Sequence, residues 1–452
     1  MFHTVQLSKQ DPTPLYIQLA TELAKLIRAG LLKEGTKLPA IRLLSNQLAI
    51  NRDTVVSAYK LLENQGLVEG HIGKGTYVLP LPAENLLAAP SIQNQICCSQ
   101  LCFPKTLFNK SLCMDLASQV VNAEGWNAFS DPLYRERLLL KQSISNFFKN
   151  IHIDVPFARV RLIQQLDQFY LSLFKYFSKT GICVETPRNL TLSCYLRSMG
   201  AKIYEIPLLE DGMDLNILEK ALKTGNISYI FLSSCLQDPT GICYSKEKQL
   251  KILELAKTYD CYIVDDSSFC EFIVPQKKHY ALFQLNIEQN RIIHLFHFSK
   301  LYMPYTNFCF AILPSALMRH LTDTSTCSFT ERMLHYYLDS KALNDIRSSL
   351  ISDCEKKYHF FLQELNYLSN NFSVYSTKGS LFFWIKPLTH SNKYICDLLT
   401  KNHIIVAPGD LFTSNTPSPY FRLSITQLST KQIQLIFFLP FSVITFCGTN
   451  TE

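Results

Sequence analysis

Charged residues are scarce in this 452-residue chain, 18% against 47% hydrophobic. So much apolar material with so little charge excludes an intrinsically disordered chain. A secretory leader is not expected, because Met1-Phe2-His3 leads into polar residues rather than a basic segment and an apolar run. Long apolar runs are missing too. The most apolar late stretch, residues 435–447, is too short to span a bilayer and is interrupted by Pro440. The expectation is a cytoplasmic protein with no membrane partner. Cysteine is plentiful, at 15, but pairs at metal-ligand spacing are absent. Cys97, Cys98 and Cys102 cluster without a second pair. Free thiols in a reducing compartment are expected, with no bound metal. No internal repeat or low-complexity run is present. The formal net charge of +7 is mild over this length; it permits contact with phosphate without requiring it.

The length exceeds what one ordinary domain needs, so more than one core is expected. Residues 1–80 carry short helical patterns and end in Gly70-His71-Ile72-Gly73-Lys74-Gly75. Residues 81–112 lack periodicity, include Leu81-Pro82-Ala83 and Ala89-Pro90-Ser91, and read as a linker. From 113 to about 320, short apolar runs alternate with helical patterns. Ile182-Cys183-Val184, Ile203-Tyr204-Glu205-Ile206, Tyr229-Ile230-Phe231-Leu232, Tyr262-Ile263-Val264 and Ile292-Ile293-His294-Leu295 read as buried parallel strands. Residues 214–223 and 246–259 read as helices between them. That alternation predicts an α/β sheet. From about 330 to 452, a long helix precedes a smaller α/β subdomain with strands near Phe383-Trp384-Ile385 and Phe421-Arg422-Leu423-Ser424.

In the first block, Leu15, Leu19, Leu23, Leu26 and Ile27 share one helix face, with Thr13 as cap and Pro14 in the first position. Pro39 opens a second helix carrying Leu43, Leu44 and Leu48. After the turn Ala49-Ile50-Asn51 a third helix starts near Arg52, capped by Asn51. It buries Val55, Tyr59 and Leu62 and stops at Gly66. Two helices joined by so short a turn fit helix-turn-helix geometry, which places Arg52, Asp53 and Thr54 where a recognition helix meets base edges. Leu67-Val68-Glu69 and Thr76-Tyr77-Val78-Leu79 form a hairpin with residues 71–74 at its tip, a wing.

Several of these runs resemble the GntR-type winged-helix signature: Lys37-Leu38-Pro39-Ala40-Ile41-Arg42, Asn51-Arg52-Asp53-Thr54-Val55, Ala58-Tyr59, Leu62-Glu63, Gly66-Leu67 and Gly73-Lys74-Gly75-Thr76-Tyr77-Val78. The resemblance implies an α+β winged helix-turn-helix that binds double-stranded DNA. Its candidate contacts are Arg42, Asn51, Arg52, Thr54, His71, Gly73 and Lys74. Ala40 stands where serine is usual, so one phosphate contact is lost. An arginine can hold guanine bidentately or pair with phosphate, and both roles stay open here.

Further along, five segments follow one another in order: Ser234-Cys235-Leu236-Gln237-Asp238-Pro239-Thr240-Gly241, Ile263-Val264-Asp265-Asp266, Phe298-Ser299-Lys300, Val406-Ala407-Pro408-Gly409 and Arg422-Leu423-Ser424. They resemble the loops of fold-type I aminotransferases, which use pyridoxal phosphate, over residues from about 115 to 440. A GntR-type head on such a body is the arrangement of the MocR subfamily. The resemblance implies that Lys300 forms the imine with the cofactor aldehyde. Asp266, with Asp265 as the alternative, would keep the pyridinium nitrogen protonated. Asp238 and Ser299 would also meet the cofactor, and Arg422 would grip a substrate or effector carboxylate.

The departures are as informative as the matches. Asn307 replaces the arginine that grips the cofactor phosphate. The glycine-containing phosphate turn reads Ile163-Gln164-Gln165-Leu166-Asp167. Arg188-Asn189 replaces the aromatic that stacks on the ring, Ser268 replaces a tyrosine, and Asp238 replaces an asparagine. Two readings of the pocket therefore stand: pyridoxal phosphate bound through altered contacts, or a dimerisation and ligand-sensing scaffold. For the whole chain the leading expectation is a dimeric DNA-binding transcription regulator tuned by a small amino-acid-like or cofactor-related effector. The alternatives are an aminotransferase with a vestigial head and a regulator with no small ligand.

Overall fold

The computed structural model describes residues 7, 14–28, 32, 35–48, 50–64, 67–71, 75–79, 95–131, 134–176, 181–188, 190–273, 281–285, 290–303, 306–324, 328–366, 371–375, 378–379, 381–414 and 417–442. They fall into two compact units, Met1–Asn94 and Gln95–Glu452.

The first unit holds α1 (Leu15–Arg28), α2 (Ile41–Leu48), α3 (Arg52–Asn64) and a hairpin of β1 (Val68–His71) and β2 (Gly75–Val78). Its core is the expected helix stripe, Leu19, Leu23 and Ile27 of α1 packed with Leu44, Val55, Ala58, Tyr59 and Leu62. Leu43, expected to face inward from α2, is 54% exposed. It lies about 100° around the helix from Leu44, which is the residue that faces the core. Pro14 lies just outside α1; its carbonyl accepts from Ile17 and Gln18 N–H. The caps expected at Thr13 and Gly66 lie outside the described residues. The chain at 35–38 runs beside β2, with Leu38 N–H bonded to Thr76 and Val78 N–H to Thr36. Gly75 has φ +111°, a conformation that favours glycine, and a Cβ there would meet only the flexible end of the Lys37 side chain.

In the second unit the chain forms bonded structure from β3 (Ile96–Cys97), where a linker was expected up to residue 112. β3 pairs in parallel with β14 (Ile404–Ile405). Next come α4 (Lys110–Glu124) and α5 (Tyr134–Asn150). An eight-stranded sheet follows: β4 (Val160–Ile163), β5 (Gly181–Thr186), β6 (Lys202–Leu209), β7 (Gly212–Met213), β8 (Ile227–Leu232), β9 (Tyr262–Asp266), β10 (Ile292–Phe296) and β11 (Cys309–Ile312). Its order is β4-β11-β10-β9-β8-β5-β6-β7. Strands β10, β9, β8, β5 and β6 run parallel, while β11 is antiparallel to both its neighbours. All five strands expected from the apolar runs are present. The helices along this stretch are α6 (Leu166–Tyr176), α7 (Leu190–Ser198), α8 (Leu215–Leu222), α9 (Lys246–Thr258), α10 (Leu282–Leu285) and α11 (Phe298–Leu301). Asp214 caps α8 through Asn216 and Ile217 N–H, and Ser245 caps α9 through Lys248 N–H. Then α12 (Ser328–Leu338) and the long α13 (Lys341–Asn366) lead to a four-stranded antiparallel sheet of β12 (Phe372–Val374), β13 (Phe382–Pro387), β15 (Ala407–Pro408) and β16 (Phe421–Ser424). α14 (Asn392–Lys401) and α15 (Thr430–Ser442) complete this subdomain. Both faces of the large sheet are covered by separate apolar clusters, which is why its strands read as continuous rather than alternating apolar runs.

The expectation of free thiols fails at one pair. Cys235 and Cys270 form a disulfide. The loop after β8 and the turn after β9 bring their Cα atoms to 5.2 Å, within bridging range, although 35 positions separate them in sequence. Among the described residues no group of histidine, cysteine or carboxylate side chains could hold a metal, and no helix is long and apolar enough to cross a membrane.

Candidate functional site

Two regions carry chemistry, one in each unit. In the first, α2 and α3 meet at the turn around Ile50 and Asn51. Asn51 caps α3 weakly, accepting from Asp53 N–H at 3.3 Å, while its carbonyl accepts from Thr54 N–H. With Val55, Ala58, Tyr59 and Leu62 turned inward, Arg52, Asp53, Ser57 and Lys60 are left exposed on the outer face of α3, and Thr54 is half-buried. Arg42 is exposed in the first turn of α2. The Tyr59 hydroxyl donates to the Pro39 carbonyl (2.8 Å) and ties α3 to the entry of α2. Gly70 N–H donates to Glu63 Oε1 (2.9 Å), tying α3 to the wing. His71 pairs with Gly75 and so ends β1 rather than sitting at the tip. Gly73 and Lys74 lie outside the described residues. Sequence reasoning passed over Ser57 and Lys60, although their helical spacing from Asp53 and Val56 marks the same outward face.

In the second unit a cavity of about 440 Å³ opens where the carboxyl ends of β5, β8, β9 and β10 converge, the position at which parallel sheets place ligands. Its lining includes Asp167, Glu185, Arg188, Asp238, Asp266, His297 and Lys300, with Leu166, Tyr170, Leu192, Tyr195 and Phe269 as the less polar part. The two aspartates ending β9 separate cleanly. Asp265 is fully buried and accepts from Ser234 N–H (2.9 Å) and Oγ (3.0 Å); burial pushes its carboxyl up to about 7 despite those bonds. Asp266 lines the cavity. Burial opposes its ionisation, but His297, Lys300 and a hydrogen bond from Ser268 outweigh that and hold it well below the usual carboxylate range. His297 Nε2 lies 3.4 Å from Asp266 Oδ2. Burial and Lys300 lower the imidazole, while Cys309 and Asp266 carry it up to about 9. Lys300 Nζ stands 5.7 Å from the centre of the Phe269 ring. Lys300, Asp266 and Asp238 are therefore brought to one cavity.

Two other expected members are placed differently. Ser299 is not part of the lining. Its Oγ is bonded to Thr306 Oγ1 (2.6 Å) and accepts from Phe308 N–H (2.7 Å), holding the loop after α11. Arg422 is only 6% exposed, and its Nη1 reaches both oxygens of Asp238, at 2.5 and 2.6 Å. The carboxylate grip expected of it is thus already engaged by the chain. Glu185, buried beside the cavity, accepts from Ser233 N–H, Tyr244 Oη and Gln237 Nε2; burial raises it to about 6. These bonds fix the loop 233–241. Glu185 and His297 went unassigned in the sequence because neither belongs to a recognisable spacing.

Comparison with known proteins fits this geometry. A model of the aminotransferase class I and II family matches residues 163–436, and one of the bacterial regulatory proteins, gntR family, matches residues 15–78. The chain belongs to the aminotransferase class I and II family and carries a gntR-type head. The HTH-type transcriptional regulator YdfD of Bacillus subtilis is 21% identical over 94% of this chain and 95% of its own. The probable rhizopine catabolism regulatory protein MocR of Rhizobium meliloti is 24% identical over 69% of this chain and 68% of its own. Among solved structures, the multiple substrate aminotransferase of Thermococcus profundus superposes with a TM-score of 0.69 at 19% identity, covering 81% of this chain and 95% of that one. An archaeal alanine:glyoxylate aminotransferase gives 0.71 at 16%, covering 80% and 95%. The expected fold, a winged helix-turn-helix followed by a fold-type I aminotransferase body, is borne out.

That fold normally holds pyridoxal phosphate, so the residues here can be tested against it. The lysine and aspartate for the imine and the ring nitrogen are present in one cavity. The phosphate end is not. Asn307 takes a left-handed conformation (φ +56°) where a cation is wanted. Gln164 and Gln165 N–H are bonded to Thr324 O and Oγ1. Ser299 is committed to its own loop, and the first turn of α6 carries the Asp167 carboxylate, which repels an anion there. These residues do not fit a phosphate group at that end.

Proposed function

We propose that the chain is a dimeric transcription regulator. Its head reads double-stranded DNA through Arg42, Asn51, Arg52, Thr54, His71, Gly73 and Lys74, and its aminotransferase-like unit senses a small ligand rather than turning one over. The observation that carries this reading is the helix pair α2 and α3. Its inner face is fully committed to the core, and its outer face presents Arg42 and Arg52 at two helix starts. Such starts are where a recognition helix and its partner meet bases and phosphates. Self-association is supported by large apolar side chains left exposed on α4, α5 and the turn between them: Met114, Val121, Trp126 (84% exposed), Phe129 and Leu139. Ligand binding would then act by favouring one of two dimer arrangements.

The enzyme reading has the Lys300–Asp266 pair in its favour and the phosphate end against it. A cofactor that loses several charged contacts loses about 1.5–3 kcal/mol with each, and about 1.4 kcal/mol is a factor of ten. The test of the regulator reading is binding to the promoter DNA of its own locus. Wild type binds with a steep salt dependence, and Arg52→Ala weakens it about tenfold or more. Affinity unchanged by Arg52→Ala would refute the recognition-helix placement.

A further inference from the structure

The two arginines near the cavity each keep a buried Nε with no acceptor among the described residues, but their terminal nitrogens differ. Arg422 spends Nη1 on both oxygens of Asp238 and Nη2 on the Ser99 carbonyl (2.6 Å). An incoming acid would have to displace Asp238 and leave that carboxylate beside a second anion, without its cation. Arg188 follows the cis Thr186–Pro187 bond at the end of β5, and its N–H is anchored on the Phe412 carbonyl (2.9 Å). Arg188 is one of the residues that line the cavity. Nε and Nη1 are shielded from water and find no hydrogen-bond acceptor among the described residues. Glu185 feels its charge but commits its own oxygens to Ser233, Tyr244 and Gln237. Asp167 lines the same cavity; it is exposed, so solvent weakens its repulsion of an anion without removing it. A cation with unanswered donors in a partly apolar cavity is stabilised by an anion that reaches it.

We propose that Arg188 receives the acid group of a small carboxylic acid in this cavity, and that Asp238 keeps Arg422 shut against it. The proposal rests on reading the unit as a ligand-binding module and names the ligand's class. Leu166, Leu192, Tyr195 and Phe269 line the space for an apolar body, and the volume suits a molecule of about one ring.

Calorimetric titration of the full-length protein with phenylacetate, one ring and one carboxylate, tests this. Wild type binds saturably. Arg188→Ala weakens binding at least about tenfold, and Arg188→Lys, which keeps the charge, retains part of it. The double variant Arg188→Ala with Asp238→Asn regains binding through the freed Arg422. Undiminished binding in Arg188→Ala, or no saturable binding by wild type, overturns the proposal. A double variant that stays as weak as Arg188→Ala overturns the role given to Asp238. Operator affinity of the same proteins without phenylacetate is a separate readout; its absence sinks the regulator reading whatever the cavity binds.

Discussion

In the first unit, the helices expected from sequence bury most of the side chains their spacing assigns to the core, with Leu15, Leu26 and Leu48 half-buried and Leu43 exposed, and Arg42 and Arg52 stand exposed at the starts of α2 and α3. In the second unit the backbone is just as regular, yet the cavity at its strand ends has been rewired. Arg422 holds Asp238, Ser299 holds Phe308 N–H, and Gln164 and Gln165 hold Thr324. The two regions differ in how many residues carry their purpose. A fold is specified by periodic burial spread over many positions and survives local change. A cofactor site depends on a few charged and small residues at fixed places, and exchanging four or five of them removes it without disturbing the sheet.

The largest effect expected from breaking the contrast is in the cavity. Arg422→Met leaves the Asp238 carboxylate without its cation, and denaturant unfolding should show a loss of about 3 kcal/mol. Adding Asp238→Asn to Arg422→Met should return most of it. In the head, Arg52→Ala should lower operator affinity by about 1–3 kcal/mol with no comparable loss of stability, measured by anisotropy at fixed salt.

Next comes the pH dependence of the His297–Asp266 pair. The imidazole is raised from 6.5 to about 9 in the folded chain. The charged form is therefore favoured on folding, and its contribution is full below pH 6.5 and lost as pH rises through about 9. Asp266 supplies the opposite limb: its carboxyl is held low, so its contribution is lost as pH falls below the ordinary carboxylate range. His297→Gln should flatten the alkaline limb by on the order of 2 kcal/mol in melts across that range. The smallest expected effect is in the head, where Tyr59→Phe removes one part-buried hydrogen bond to Pro39 and should cost about 1 kcal/mol.

What was legible in the sequence follows the same division. The runs at 182–184, 229–232, 262–264 and 292–295 announced their strands because strands covered on both faces are apolar throughout, while the run at 203–206, interrupted by Glu205, belongs to a strand that is only half-buried. The helices expected at 214–223 and 246–259 are present, capped by Asp214 and Ser245, neither of which was expected as a cap. Lys300, Asp266 and Asp238 were legible as members of one cavity, and the losses at Asn307 and Ser268 were legible as departures. What could not be read was pairing at a distance. Nothing in the order of residues says that Asp238 will meet Arg422 from 184 positions away, or that Cys235 will join Cys270 rather than any other cysteine. Arg188 was seen only as a missing aromatic and not as a residue of the cavity lining.

The most direct test of the account is an absorbance titration of the full-length protein with pyridoxal phosphate, run beside Lys300→Ala. The account predicts that no saturable imine band distinguishes the two proteins, while both still bind operator DNA. A saturable band in wild type that vanishes in Lys300→Ala would contradict it, because the cavity would then hold the cofactor in spite of its missing phosphate end.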